Sequence, residues 1–145
     1  MIWLLRHGDA ADVADDDASR PLTAKGKRQA RAAGAALAKL DAGIEACLTS
    51  PKVRAAATAR LVCDPLGIEA EPSEALRGGD FDPAALARGG GEVLLVGHEP
   101  DLSRAVQLAT GARVEMKKGG LAVIHGSVLH ALLRPDALRG IAQLD

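Results

Sequence analysis

Aromatic residues are almost missing from this sequence. Its 145 residues include one Trp, one Phe and no Tyr, which disfavours the modules that bind nucleic acids by stacking bases on exposed aromatic side chains. The formal net charge of −1 also argues against the broad basic surface of a nucleic-acid-binding protein. We therefore expect no nucleic-acid partner, and a core built from aliphatic side chains and alanine.

Cysteines and long apolar runs are also scarce. Cys47 and Cys63 are sixteen positions apart, without a CxxC pattern or a nearby histidine cluster, which disfavours a metal or redox site and predicts two buried free thiols. No apolar run reaches the roughly 20 residues of a membrane-spanning helix, and the N-terminus lacks the pattern of a secretory signal. These absences predict a cytoplasmic protein with no membrane partner.

The length and composition fit a single domain spanning residues 1–145. A chain of this size supports one hydrophobic core, whereas splitting it would leave two marginal pieces. Hydrophobic residues make up 48% and charged residues 26% of the chain, close to the average of globular proteins. We expect one folded domain with one principal site.

Apolar runs, polar turns and helical segments alternate along the chain. Thr23 is predicted to cap the longest helix, and Ser50 with Pro51 in the first turn is predicted to begin the next one. The predicted strands cover 1–5, 44–49 and 92–96, the helices 23–40, 50–65, 83–87 and 101–109, and a terminal hairpin 121–133. This order predicts an α/β fold of three layers, αβα, with a mostly parallel central sheet.

Two stretches are predicted to lack regular structure. Residues 9–20 are acidic and rich in alanine, without a clear period, and are expected to form a solvated loop. Residues 69–91 contain two prolines and five glycines and are expected to be irregular apart from 83–87. Inside the helix 23–40, Gly26 and Gly34 weaken helix propensity. Their expected use is close packing against another element.

Side chains suited to chemistry follow three of the predicted strands. Arg6 and His7 follow the first strand, Ser50 and Arg54 follow the second, and His98 follows strand 92–96. Parallel sheets place ligand sites at the carboxyl ends of their strands, so we expect these residues at one edge of the sheet. Each residue alone has an ordinary structural explanation, but together they favour a functional site.

This set of side chains favours a phosphoryl group. Two guanidinium groups match phosphate oxygens, and backbone N–H groups near Ser50 can add donors. An imidazole beside two guanidinium groups should stay neutral and able to attack phosphorus. The second imidazole would then stabilise charge in the transition state. This chemistry requires no metal ion and no cofactor.

The order of four sequence blocks resembles that of the histidine phosphatase superfamily, also called the phosphoglycerate mutase-like clan. The blocks are LRHGDA at 5–10, PLTAKG at 21–26, TSPKVR at 49–54 and VGHEP at 96–100. Within this superfamily, the small size and the RHGDA and GHEPDL blocks look most like the SixA-type phosphohistidine phosphatases. The resemblance implies a phosphoglycerate mutase-like fold, His7 as a nucleophile that becomes phosphorylated, and a phosphate pocket formed by Arg6, Arg54 and His98.

In many larger relatives a Glu or Asp protonates the leaving group, and here its identity stays open. Glu74 is the candidate, with Asp9, Asp80 and Glu99 as alternatives. A weak or missing acid favours P–N bonds, because a protonated imidazole leaves more readily than an alkoxide. The short segment 66–92 leaves little material for a lid, which favours an open pocket and a phosphohistidine carried by a protein.

The expected partner is therefore a phosphohistidine-bearing protein, such as a phosphotransfer domain or a phosphocarrier. A small phosphate monoester as substrate is the alternative with the same site, and a phosphate-binding module without catalysis is disfavoured by the presence of both histidines and both arginines. Lys117 and Lys118 precede the terminal hairpin. They can attract a phosphate or an acidic protein surface, or they can belong to an ordinary solvated turn.

Overall fold

The computed structural model describes residues 1–88 and 90–145, and within them six strands form one sheet. The strands are β1 (Ile2–Arg6), β2 (Ala46–Thr49), β3 (Ala70–Pro72), β4 (Val93–Gly97), β5 (Leu121–His125) and β6 (Val128–Leu133). Their order across the sheet is β3-β2-β4-β1-β5-β6. The first four strands along the chain are parallel, and β5 and β6 form an antiparallel hairpin at one edge.

Helices cover both faces of this sheet. They are α1 (Ala24–Lys39), α2 (Val53–Cys63), α3 (Pro83–Leu86), α4 (Asp101–Thr110) and α5 (Pro135–Ala142), with short 3-10 turns at Asp17–Ser19, Asp64–Leu66 and Glu74–Leu76. Alternate residues of each strand face opposite layers, as the pleat requires. Leu5 packs with α1, α2 and α5, whereas Leu4 packs with α3 and α4. The predicted three-layer α/β architecture is therefore confirmed.

Several local predictions also agree with the structure. All five residues of β4 are buried, as expected of a central parallel strand covered on both faces. Cys47 and Cys63 are both free and buried, as predicted. None of the helices in the described part of the chain combines the length and the apolar composition needed to cross a membrane.

The predicted start of α2 is wrong by two residues. Lys52 is the N-cap and Val53 the first helical residue, whereas Ser50 was expected to cap the helix with Pro51 in its first turn. The Ser50 hydroxyl instead lies within hydrogen-bond distance of His98. The helix also ends at Cys63, before a 3-10 turn, because Pro65 has no N–H with which to continue the helical ladder.

Besides the 3-10 turns at Asp17–Ser19 and Glu74–Leu76, one strand and one helix were not predicted from the sequence. Strand β3 has the sequence Ala-Glu-Pro, which has little β propensity, and it pairs with β2 at the edge of the sheet where proline is tolerated. Helix α5 begins with Pro135 at its first turn and buries Leu138 against the sheet. Proline in the first turn followed by an acidic residue is a start signal that could have identified α5.

The first turn of α1 holds the loop that follows β1. Thr23 caps the helix as predicted, because its Oγ1 accepts the N–H of Gly26 at 3.0 Å while donating to Asp9 Oδ2 at 2.8 Å. A Cβ on Gly26 would lie 2.0 Å from the carbonyl oxygen of Asp9, and one on Gly34 would lie 2.8 Å from the carbonyl oxygen of Val62. Both glycines therefore allow the predicted close packing, and Gly26 fixes the loop beside His7.

Candidate active site

The carboxyl ends of three parallel strands bring the predicted site residues together. Arg6 pairs with Gly97 across β1 and β4, and Thr49 pairs with Val96 across β2 and β4. The backbone N–H of His7 donates to the Gly97 carbonyl at 3.1 Å, which fixes the imidazole at the end of the sheet. The chain leaves each strand at the same level, so residues far apart in sequence meet at one edge.

His7 is held in one tautomer by the backbone. Its side chain is buried, with 5% of the residue exposed, and Nδ1 lies 2.7 Å from the Gly8 carbonyl oxygen. Because a carbonyl only accepts, Nδ1 carries the hydrogen and Nε2 has the free lone pair. The Gly8 N–H donates to Thr58 Oγ1 at 3.1 Å. His7 is thereby oriented with Nε2 available as a nucleophile.

The surroundings also keep His7 neutral. Burial lowers the pKa of His7 from 6.5 to about 4, and the positive charges of Arg54 and Arg6 act in the same direction against a hydrogen bond to Gly8 that opposes them. A low pKa leaves the lone pair unprotonated at neutral pH. This agrees with the electrostatic prediction, although burial contributes more than the two arginines.

His98 lies beside His7, with 5.2 Å between the ring centroids. Burial and the neighbouring His7 and Arg54 lower the pKa of His98 to about 3. Its Nε2 lies 2.7 Å from Ser50 Oγ, and that oxygen accepts the N–H of Lys52 at 3.2 Å. The Ser50 hydroxyl therefore donates its hydrogen to His98 Nε2. Because Nε2 accepts, the N–H of the neutral His98 ring is at Nδ1.

Each of the two arginines is held in place by hydrogen bonds from its terminal Nη atoms. Arg6 Nη1 donates to the Met116 carbonyl at 2.9 Å. Arg54 Nη1 donates to the backbone carbonyl of Asp17 at 2.7 Å, and its Nη2 is 3.2 Å from Asp17 Oδ2. These contacts fix both side chains but leave Nε of each without a partner.

Unpartnered buried nitrogens mark this pocket. Among the residues that the structure describes, the buried side-chain nitrogen and oxygen atoms without a hydrogen-bond partner are Arg6 Nε, Arg54 Nε and His98 Nδ1. Such groups are rare in folded proteins because leaving a buried donor unsatisfied costs free energy. All three belong to residues around His7, and all three can donate. The arrangement is suited to an anion with several oxygen atoms.

Comparisons with known proteins agree with this geometry. Residues 2–88 match the family model of the histidine phosphatase superfamily, branch 1. The chain belongs to the histidine phosphatase superfamily. An uncharacterized protein from Picosynechococcus sp. is 34% identical over 134 residues, covering 83% of this chain and 81% of the relative.

Solved structures of the superfamily have the same fold. The protein histidine phosphatase SixA, solved with tungstate, is 26% identical with a TM-score of 0.83, covering 94% of this chain and 98% of that one. The protein named SixA in Agrobacterium tumefaciens is 23% identical with a TM-score of 0.83, covering 92% and 97%. The superfamily and the likeness to a phosphatase support a phosphatase activity for this chain and confirm the phosphoglycerate mutase-like fold.

Asp17 is a residue of the candidate pocket that was not predicted from the sequence. Its carboxylate contacts Lys52 at 3.1 Å, Arg54 at 3.2 Å and Arg20 at 3.1 Å, although 56% of the side chain is exposed. Lys52 and Arg54 hold the pKa of Asp17 well below its ordinary value. The loop 9–20 is therefore not merely solvated. Its run of three aspartates carries no local pattern that distinguishes Asp17.

The geometry does not support Glu74 as the general acid. Its side chain is 77% exposed and its carboxylate pairs with Arg77 at 2.8 Å, which lowers the pKa of Glu74. A proton donor at neutral pH needs a raised pKa instead. Asp17 is unsuited for the same reason, although it touches the pocket.

The remaining acidic candidates have structural partners. Asp9 accepts from Thr23 and pairs with Lys118 at 3.2 Å, and these contacts lower its pKa. Asp80 is exposed, 3.9 Å from an arginine on α4. Glu99 Oε1 accepts the N–H of Ser103 at 2.8 Å, and its Oε2 accepts that of Met116 at 3.3 Å. Glu99 thus supports the segment that holds Arg6.

Proposed function

We propose that this protein hydrolyses phosphohistidine on another protein, through a covalent phosphohistidine formed on His7. The observation that carries the proposal is the set of three buried donors without partners, contributed by Arg6, Arg54 and His98 around a neutral imidazole. A phosphoryl group has oxygen atoms for all of them. Neither a metal ion nor a cofactor takes part in the proposed steps.

The first step is attack by His7 on phosphorus. The Nε2 lone pair forms the new P–N bond, and the bond between phosphorus and the substrate imidazole breaks, with its electron pair going to the substrate nitrogen. The His7 ring becomes cationic, and its Nδ1–H remains bonded to the Gly8 carbonyl. Arg6, Arg54 and His98 donate to the phosphoryl oxygens, whose charge they stabilise in the transition state.

The second step is hydrolysis of the phosphorylated His7. A water molecule attacks phosphorus, the P–Nε2 bond breaks, and its electron pair returns to the imidazole. The products are inorganic phosphate and neutral His7, so the enzyme is regenerated. The overall reaction consumes one water for each phosphohistidine.

The lowered pKa values of the candidate acids favour a P–N substrate. Glu74, Asp9 and Asp17 all have lowered pKa values, so none is suited to protonate a departing alkoxide. The ring of a substrate phosphohistidine can take its proton from water before the P–N bond breaks, and it then leaves as neutral imidazole. Phosphohistidine therefore needs no acid from this chain.

Chemical trapping of the phosphorylated enzyme tests the mechanism. Incubation with radiolabelled phosphoramidate followed by rapid quenching should yield label on His7 that is stable in alkali and labile in acid, as expected of phosphohistidine. The His7→Ala variant should take up no label and lose turnover, whereas His130→Ala, which replaces a histidine of β6 outside the pocket, should behave like the wild type. Full turnover by His7→Ala would contradict the proposal.

A substrate comparison tests the P–N preference separately. We expect kcat/KM for a phosphohistidine peptide to exceed that for p-nitrophenyl phosphate and sugar phosphates by about 10²-fold, equivalent to about 2.7 kcal/mol of transition-state stabilisation. If the monoesters are hydrolysed faster while the label still forms on His7, the covalent mechanism stands and the substrate class is wrong.

A further inference from the structure

A basic groove lies between α1 and α5 outside the candidate pocket. Its volume is about 640 Å³, and the residues that line it include Ala32 and Pro135. Among the described residues that line it, six carry positive charge and one, Asp136, carries negative charge. The six are Lys25, Arg28, Arg31, Lys117, Arg134 and Arg139. We call this surface the α1–α5 groove.

Five of the six positive charges of the α1–α5 groove have no ion-pair partner among the described residues. All six basic side chains belong to exposed residues. In the described ranges 1–88 and 90–145, Arg134 is 3.7 Å from Asp136, and none of the other five has an ion-pair partner. Ordinary solvated surfaces mix charges of both signs, and this chain has a net charge of only −1. The concentration of one sign here sets the groove apart.

The groove begins next to the candidate pocket. Gln29 lines it, and its Oε1 accepts the backbone N–H of Asp9, two residues after His7, at 2.8 Å. Lys117 lines it as well and follows Met116, whose carbonyl holds Arg6. A polypeptide that presents a phosphohistidine to His7 can therefore continue into the groove.

We propose that the α1–α5 groove docks an acidic segment of the phosphoprotein substrate. The proposal rests on the proposed function for the identity of that substrate. Six positive charges match a segment rich in Asp and Glu, and such charge complementarity accelerates encounter and favours the correct partner. The apolar side chains of Ala32 and Pro135, which also line the groove, can pack against the methylene groups of the segment.

A polypeptide fits the groove better than a nucleic acid. None of the residues that line it is aromatic, so it offers no platform on which bases can stack. We therefore commit to a protein segment, and binding of DNA becomes an outcome of the experiment.

Two synthetic peptides provide the test. Each carries one phosphohistidine followed by about ten residues, which can span about 30 Å when extended, and the flank contains either six glutamates or six glutamines. At low salt we expect kcat/KM for the acidic peptide to exceed that for the neutral peptide by about 10-fold, and about 0.5 M NaCl should abolish the difference. Hydrolysis of both peptides with the same kcat/KM at low salt would overturn the proposal.

Variants localise the preference to the groove. Combined Arg28→Glu, Arg31→Glu and Arg139→Glu should remove the preference for the acidic peptide while leaving turnover of free phosphohistidine unchanged. Lys27→Glu, an exposed charge reversal on α1 outside the groove, should keep the preference. Replacing the same three arginines together by glutamine should weaken the preference for the acidic peptide. This milder variant provides a second test in case the triple charge reversal does not fold. Retention of the preference in both groove variants would refute the assignment.

Binding without catalysis separates this proposal from the proposed function. Fluorescence anisotropy with the unphosphorylated acidic peptide should show binding to the wild type and to Lys27→Glu, and loss of binding by the groove variants. If no phosphohistidine peptide is hydrolysed but this binding pattern is found, the proposed function fails and the groove stands. Binding of a short DNA as tight as that of the peptide would overturn the commitment to a protein partner.

Discussion

Acidification should destabilise the folded protein through His7 and His98, two buried histidines that the fold keeps neutral. Their pKa values are about 4 and about 3 when folded, against an ordinary value of 6.5. At pH values between the folded and the ordinary pKa, each histidine is protonated in the unfolded chain but not in the folded protein. Stability is therefore lost as the pH falls below 6.5, and the loss from each histidine is complete only below its folded pKa.

The size of the effect follows from these pKa values. On going from pH 7.5 to pH 5, His7 accounts for a loss of about 2 kcal/mol in the free energy of unfolding. His98 accounts for a similar loss, so the pair removes about 4 kcal/mol. Since domains are typically stable by only about 5–15 kcal/mol, this is a large part of the total.

Urea unfolding at the two pH values measures this loss. The comparison is between the wild type and His7→Gln, His98→Gln and the double variant, and the quantity is the difference in unfolding free energy between pH 7.5 and pH 5 for each protein. Any cost of the substitution that does not depend on pH cancels in this difference. Each single variant should lose about 2 kcal/mol less in acid than the wild type, whereas His125→Gln, an exposed histidine, should match it.

Acid sensitivity that is unchanged in the double variant would refute the argument. The fold would then not keep His7 neutral, and the account of its Nε2 as a free nucleophile at neutral pH would fail with it. Carboxylates with lowered pKa values, such as that of Asp17, also reduce the free energy of unfolding when they are protonated in acid. They remain in every variant, so they do not affect the comparison.

Three further substitutions test individual contacts, and a fourth serves as a control. Arg54→Lys should lower kcat/KM by about 10²-fold with little change in fold, because an ammonium lacks the planar fork by which Arg54 holds Asp17 through Nη1 and Nη2 while Nε stays free for a phosphoryl oxygen; activity within threefold of the wild type would contradict this. Ser50→Ala should change the tautomer of the imidazole it contacts, visible as a change in ring ¹⁵N shifts, and lower kcat by about 10-fold; unchanged spectra would contradict it. Gly26→Ala should destabilise the folded protein by more than about 2 kcal/mol, because the added Cβ clashes with the loop after β1. Gly140→Ala, where the added Cβ meets open space, should stabilise it by about 0.5–1 kcal/mol. Thermal unfolding measures both effects. Equal effects of the two alanines would show that the clash is not present.

Much of the fold was predictable because its signals are local. The apolar run at β4 and the cap at Thr23 are read from a few neighbouring residues, and both predictions are confirmed. Strand β3 escaped prediction because its pairing with β2 decides its conformation, against the preference of its own residues. Helix α2 begins later than predicted because the Ser50 hydroxyl bonds to His98, a partner 48 residues away in the chain, and does not cap the helix.

The sequence by itself determined the layered α/β architecture and the residues that the parallel strands would present at one edge. Periodicity and turn residues suffice for this, since every parallel strand delivers its next residues to the same side of the sheet. Only the tertiary structure decided the electrostatics: which of three consecutive aspartates meets Arg54, how far burial lowers the pKa of His7, and which buried donors remain without partners. These properties depend on distances and solvent exclusion among residues remote in the chain, and no local pattern encodes them.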